Sequence, residues 1–351
     1  MKKRILVAPL NWGLGHATRC IPIINALLNF GFEPIIASDG DALALLQKEF
    51  PDLFSIELPS YKISYSKQKA YFKLKLLKDT PKILKAIKAE KKATKHIVKT
   101  NDIVGIISDN RLGVYSKKVP SVIMTHQLNV LSGNTTWLST LLHKKFIKHF
   151  DACWVPDFED DNNLSGKLGH DNSIEIPIKY IGPLSRFLKK DSEILNNLLV
   201  ILSGPEPQRT LLGEKLLEEL KKHKEKVVLV NGNIEDEQTV QVVGNITLYN
   251  FMTTNQLEKT INESELIISR SGYTTVMDLA KLGKKAFFIP TPGQYEQEYL
   301  AKRLLELNIV PFCNQNDFTL DKLEQSKHFK GFESFNYETD YKDLFSFFER
   351  E

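Results

Sequence analysis

Gly13-Leu-Gly15-His16 follows the apolar run Arg4–Pro9 and opens a helical pattern over Ala17–Leu28. A histidine at that position lies near the positive end of the helix dipole, which lowers its pKa and favours the neutral imidazole that a general base needs. A capping or packing histidine is the alternative. The glycines are not a dinucleotide fingerprint, because G-x-G-x-x-G needs glycine where Thr18 stands. Two further polar clusters, Ser108-Asp109-Asn110-Arg111 and Thr125-His126-Gln127-Leu128-Asn129, also follow apolar runs. His126 competes with His16 as the base, and Asp109 is placed to orient either one.

A second set of candidates lies in Ser269-Arg270-Ser271-Gly272-Tyr273-Thr274-Thr275-Val276-Met277-Asp278. Small residues at a helix start leave room for a phosphate to reach unpaired N–H groups and the positive dipole end. Ser271, Gly272, Thr274 and Thr275 are the candidate donors, with Arg270 beside them. Capping alone is the competing reading, since Thr275-Val-Met-Asp278 fits an [ST]-x-x-[DE] capping box. The following apolar run ends in Thr291-Pro-Gly293, and a second helix opens with Gln294, Glu296, Gln297 and Glu298. These groups suit a hydroxyl-rich ligand; a solvated helix start is the alternative. Asp39-Gly-Asp41 mimics a metal-binding pair but stands where aspartate is a favoured N-cap, so no metal site is expected. Asp157–Asp161 and Glu235–Glu237 read as solvated loops.

These clusters need parallel strands to bring them together. Runs at Arg4–Pro9, Glu33–Ala37, Ile103–Ile107, Ser121–Thr125 and Ala152–Val155 alternate with helical patterns, the signature of an α/β fold. The pattern pauses near Gly182-Pro-Leu-Ser-Arg186. It restarts with Leu198–Leu202, Val227–Val230, Ile246–Tyr249, Leu266–Ser269, Ala286–Ile289 and Ile309–Phe312. Both halves open with a strand, a glycine-bearing loop and a helix. Two Rossmann-like domains facing one another across a cleft are therefore expected, with ligands at the strand C-terminal ends. The expected boundaries are 1–186, 187–335, and a C-terminal helical segment 336–351 with an aromatic helix at Tyr341–Arg350 that packs on its own domain or on the first.

The 351 residues suit two domains, and 42% hydrophobic content supports two cores. The start reads as a first strand, with no cleavable signal, and no run is apolar enough to span a membrane. Cys20, Cys153 and Cys313 lie far apart without ligand spacing, which fits a reducing cytoplasm. Segment 62–99 holds thirteen lysines and two acids, a local +11 in a chain of +4, so the remainder is acidic at −7. Interleaved apolar residues and Pro81 predict two amphipathic helices with basic faces. Either they are simply solvated or they meet an anionic membrane surface. Nucleic acid is disfavoured, because the aromatics sit on the apolar stripe.

The block from Ser269 through Ala301, together with GLGH, THQLN and IGPLSR, resembles the family 28 glycosyltransferases of GT-B fold. It is similar to the MurG-type N-acetylglucosaminyltransferases and more distantly to the UDP-glycosyltransferases. The resemblance implies an inverting, metal-independent hexosyltransferase that moves a sugar from a UDP-sugar to an acceptor hydroxyl, with no cofactor. It implies a lipid-linked or envelope-glycan acceptor, at the cytoplasmic face of a membrane. By position, Asp278 would accept from the ribose hydroxyls, where the family has Glu. Gln297, with Glu296 and Gln294, would meet the donor sugar. Phe251-Met252 would lie along the uracil through backbone contacts, and Arg186 with Ser271 to Thr275 would hold the diphosphate. Gly13, Gly15, His126 and Asn129 would line the acceptor side, nearest His16. The family's glycine-rich loop becomes Ser203-Gly204-Pro205-Glu206-Pro207, where two prolines remove N–H donors. A non-hydrolysing UDP-sugar epimerase, and a non-enzymatic membrane-surface or nucleic-acid binding protein, are the alternatives.

Overall fold

The computed structural model describes residues 2–61, 72–131, 136–161, 163–171, 173–233, 235, 237–332 and 338–349, with backbone alone for 72–80, 137 and 138. Contacts divide the chain into two compact units, Met1–Leu184 with Tyr337–Glu351, and Ser185–Asn336.

The first unit runs β1 (Arg4–Pro9), α1 (Gly15–Asn29), β2 (Glu33–Ser38), α2 (Gly40–Glu49), β3 (Ser55–Glu57), α3 (Phe72–Thr100), β4 (Ile103–Asp109), β5 (Ser121–Met124), α4 (Thr136–Ile147), β6 (Ala152–Val155) and β7 (Ile178–Tyr180). Its seven strands are ordered β3-β2-β1-β4-β5-β6-β7, and every pair is parallel. All C-terminal strand ends therefore share one edge. The order reverses between β1 and β4, the kind of switch point at which open α/β sheets bind ligands. Leu6, Ala8, Ile35, Ala37, Ile103 and Ile106 pack beneath Ile97 of α3 and Val114 as one core. Tyr115, Ile123, Leu128, Ile147, Phe150 and Val155 form a second on the far strands.

The second unit runs β8 (Asn196–Ile201), α5 (Gln208–Leu220), β9 (Val227–Val230), β10 (Val240–Val243), β11 (Ile246–Tyr249), α6 (Thr254–Asn262), β12 (Ser264–Ser269), α7 (Tyr273–Leu282), β13 (Lys285–Phe288) and α8 (Tyr295–Glu306). Its sheet is ordered β10-β11-β9-β8-β12-β13, parallel except for the β10–β11 hairpin. Here the order reverses between β8 and β12. Leu198, Val200, Leu212, Leu216, Val227, Leu229, Ile268, Phe287 and Phe318 fill the core.

Three expectations need correction. Ile309–Phe312 is not a strand: only Phe312 bridges to Phe288. Pro311 supplies no ladder N–H, so pairing stops after one residue. The lysine-rich segment forms one helix, α3, with Pro81 inside it; proline removes one helical bond, and the buried stripe Ala86, Ile87, Glu90, Thr94 and Ile97 holds the rest in place. Lys82, Lys85, Lys88, Lys91, Lys92, Lys95 and Lys99 are exposed on its other faces. Residues 62–71, including Lys62, Lys67 and Lys69, lie outside the described residues. The third correction is Asp157, which is fully buried and accepts from the backbone N–H groups of Phe158, Leu164 and Ser165 at 2.7–2.8 Å. It organises a loop; it is not solvated.

After the second unit the chain returns to the first as α9 (Tyr341–Ser346), shorter than its aromatic pattern predicts. Asp340 caps it by accepting from Asp343 N–H at 3.0 Å. Phe345 meets Phe30 and Phe32 edge-on at 5.7 and 5.8 Å, and Phe348 meets Trp154 at 5.9 Å. Gly105 makes room: a Cβ there would collide with the Phe348 ring and lie 2.8 Å from Ile5 Cδ1. Phe348→Ala should lower the unfolding free energy by about 3–5 kcal/mol. Exposed Lys342→Ala should stay within about 0.5 kcal/mol. Urea unfolding of both variants checks this.

Candidate active site

In the first unit β1, β4 and β5 are neighbours, and their C-terminal loops bring together His16, Asp109 and His126. His16 sits in the first turn of α1, Asp109 is the last residue of β4, and His126 lies two residues beyond β5. Gly13 turns the loop before α1 with a φ of +82°, open to substitution sterically but not conformationally. His16 Nδ1 is 3.2 Å from Asp109 Oδ1. The group that binds the three together is Arg19, three residues along the same helix. Its Nε donates to Asp109 Oδ2 at 2.7 Å, and its Nη2 pairs with Oδ1. Nη1 lies 2.7 Å from His126 Nδ1, and Nη2 lies 2.8 Å from His16 Nδ1. Cys20 adds a thiol contact to Asp109 Oδ2.

Arg19 is 1% exposed and Asp109 wholly buried. Burial alone would raise the Asp109 carboxyl, but Arg19 and His16 outweigh it and hold it down to about 2. His16 is lowered below its ordinary value, chiefly by burial, with Asp109 raising it and Arg19 and His126 lowering it. A guanidinium can only donate, so His126 Nδ1 accepts and its proton stands on Nε2. The one lone pair of that tautomer is engaged by Arg19. His16 Nδ1 faces both Arg19 Nη2 and Asp109 Oδ1, so it accepts from the guanidinium in one tautomer and donates to the carboxylate in the other; only the second leaves Nε2 free to accept a proton.

Other first-unit candidates serve the scaffold. Arg111 is wholly buried between Asp39 and Glu90, and it also donates to Pro9 O at 2.9 Å. Asp39 stands at the N-cap of α2 but makes no side-chain cap. It pairs with Arg111 instead, a stronger partner than a helix N–H. Asn129 donates to Lys167 O and His170 O, tying its loop down.

In the second unit four helix starts share the strand-end edge, and three already hold their own partners. Glu206 Oε2 accepts from Thr210 N–H and Oγ1 at the start of α5. Thr253 and Gln256 form a capping box on α6. Glu298 Oε1 accepts from Gly293 N–H beside α8, which also carries Glu296 in its first turn. The start of α7 has no acidic residue in its first turn, its N-cap is Gly272, and a Cβ there would meet nothing within 4 Å. The capping-box reading of Thr275 and Asp278 fails, because both lie inside the helix. Thr274, Thr275 and Asp278 share one helical face, at i, i+1 and i+4. Asp278 Oδ1 accepts from Ser185 Oγ at 2.6 Å. Burial pushes its carboxyl up to about 6, against the opposing pull of Ser185 and Arg186. Arg186 donates to Thr254 Oγ1 at 3.1 Å and lies over the Phe187 ring.

Several expected ligands are engaged elsewhere. Arg270 is 1% exposed and donates to Ile289 O, Pro290 O, Gln208 O and Gln315 Oε1, bracketing three loops. Ser271 Oγ donates to Gln297 O, and Gln297 itself joins Thr291 N–H to Gln294 Oε1. Phe251 gives its N–H to Asn250 and takes Gln238 Nε2 on its carbonyl; Met252 beside it is half-buried. Ser203 and Gly204 are exposed after β8, where Glu206 already supplies the anion for α5. Arg19 and Ser185 were not among the expected residues. The i, i+3 spacing of His16 and Arg19 was the available signal for the first; nothing local marks Ser185.

Residues 199–330 match the glycosyltransferase family 28 C-terminal domain. The second unit is a family 28 C-terminal domain. The chain is accordingly a transferase enzyme, MurG-like, and its two units are the two Rossmann-like domains of the GT-B fold. It is 26% identical over 303 residues to a UDP-N-acetylglucosamine–N-acetylmuramyl-(pentapeptide) pyrophosphoryl-undecaprenol N-acetylglucosamine transferase of Clostridium tetani, covering 83% of this chain and 78% of that one. Its fold resembles the kitacinnamycin glycotransferase (TM-score 0.64, 13% identity, 93% and 90% of the two chains). It also resembles MurG of Acinetobacter baumannii (TM-score 0.55, 15% identity, 94% and 91%).

Within this family 28 domain, Arg270→Met should lower stability by about 3 kcal/mol, because a buried charged donor leaves its acceptors unmet. Thermal unfolding measures it. A ligand-only role for Arg270 would leave the melting temperature unchanged.

Proposed function

We propose that the enzyme transfers a hexose, N-acetylglucosamine or a close relative, from a UDP-sugar to an acceptor hydroxyl with inversion. The observation that carries the reading is the start of α7, which opens on Gly272 with room beside it and no acidic residue in its first turn, with Asp278 one turn further along the helix. Helix-start N–H groups attract a diphosphate, and Arg186 adds a cation near Asp278. In this reading Asp278 accepts from the ribose, sharing its carboxylate with Ser185. Gln294, Glu296 and Glu298 meet the sugar, and Gln297 positions the Thr291 loop behind it.

On the acceptor side His16 Nε2 takes the hydroxyl proton. The acceptor oxygen attacks the anomeric carbon from the face opposite the diphosphate, the bond to the phosphate oxygen breaks, and UDP leaves with the electron pair. Asp109, kept ionised, stabilises the imidazolium that forms. The leaving charge meets N–H groups and Arg186, so no metal or cofactor enters the scheme. The Clostridium tetani relative is named for a pyrophosphoryl-undecaprenol acceptor. Together with the exposed lysines of α3, this supports a lipid-linked acceptor met at the cytoplasmic face of an anionic membrane. No helix among the described residues is long and apolar enough to cross one.

His16→Ala should reduce transfer by about 10²–10⁴-fold while UDP still binds. Asp278→Ala should weaken UDP by about 1–3 kcal/mol in calorimetry. Because a ribose hydroxyl needs the ionised acceptor, parent affinity for UDP should fall as pH drops through about 6. Unaltered UDP affinity in Asp278→Ala would remove the donor assignment.

A further inference from the structure

We propose that Arg19 is a positioning residue that sets the resting protonation state of His16, and with it the pH range in which the enzyme turns over. The proposal rests on His16 being the base. Its ground is geometric: one buried guanidinium forks onto both oxygens of Asp109 and reaches both histidines.

The groups that face His16 are Asp109 from β4, Arg19 from its own helix and His126 from the loop after β5. Behind them, Cys20 touches Asp109, and His143 of α4 lies near enough to His126 to feel it. Asp109 is the only anion among these. Left alone, a buried carboxylate 3.2 Å from an imidazole favours the imidazolium. An imidazolium has no lone pair for an acceptor proton. Arg19 cancels that charge at both carboxylate oxygens, so the cluster starts with one cation, one anion and two neutral rings. Asp109 still orients the ring and stabilises the positive charge that appears during reaction. Arg19 also fixes His126 with Nδ1 as acceptor.

The sign follows directly. Removing the guanidinium raises the His16 pKa, so the base is free only at higher pH. An opposite charge this close shifts a titration by about 1–3 units. Arg19→Met should therefore move the acid limb of the kcat profile up by about one pH unit or more. The loss should be about tenfold or greater near the parent's acid limb and should largely recover at alkaline pH. Arg19→Lys keeps the charge and should leave the limb near the parent position, with kcat lowered because the fork to Asp109 is lost.

Histidine side-chain NMR titration of parent, Arg19→Met and Arg19→Lys, with the His16 resonance assigned by its loss in His16→Ala, reads the same shift without turnover. A uniform loss of activity across pH, with His16 titrating as in the parent, would overturn the proposal and leave Arg19 a structural ion pair. If Arg19→Met does not fold, Arg19→Gln, which keeps an amide donor toward Asp109 without the charge, decides: His16 should titrate higher than in the parent, and no change overturns the proposal. Parent-level turnover in His16→Ala would instead refute the base assignment, while the NMR shift would still test the charge balance.

Discussion

A guanidinium and a carboxylate, both almost without solvent, face one another where the first sheet reverses its strand order, and much of the first unit is arranged around that pair. Taking two charges out of water is costly unless geometry is good and the remaining donors and acceptors are met. Arg19 and Asp109 satisfy this through two parallel bonds and two neighbouring imidazoles. The requirement fixes the rotation of α1, because Arg19 must point inward, and that rotation carries His16 one turn back onto the same side. Asp109 is the last rung of β4, paired with Pro9 and Met124, so its side chain stands at the strand-end edge. His16 is thus held by an interaction that is also structural.

The second unit solves a different problem. Parallel strands aim several helix starts at one edge, and each offers a positive dipole end. Glu206, the Thr253–Gln256 box and Glu298 occupy three of them with the chain's own groups. The fourth, α7, opens on Gly272 with no acidic residue in its first turn. Arg270 ties this edge together by donating to the carbonyls of the loops that end β13 and begin α5.

Much of this was legible in the sequence because it depends on period and composition. Uninterrupted apolar runs located Arg4–Pro9, Ala152–Val155, Val227–Val230 and Ile246–Tyr249 to the residue, since a strand covered on both faces admits few polar side chains. His16 and Asp109 were legible together because both follow such runs, and parallel order then forces them to one edge. What stayed hidden depends on partners distant in the chain. Arg270 and Arg111 look like ligands in a list of residues. Only the fold reveals that carbonyls and carboxylates from remote segments surround them. Asp278 fits a capping box on paper, yet its helix begins at Tyr273, three residues too early for Thr275 to cap it. Pro81 reads as a break, although the packed stripe beneath α3 carries the helix through.

The return of the chain to its first unit through α9 has a bearing on biogenesis. Residues 185–336 form an insert between β7 and α9, so the polypeptide must emit a complete second domain before Phe345 and Phe348 leave the ribosome. Until then Phe30, Phe32 and Trp154 lack their aromatic cover, and the first domain emerges with an uncapped apolar patch. Domains form as units in the order of synthesis. The nascent first domain therefore waits in an unfinished state, and its last seam closes only when the inserted domain is already made.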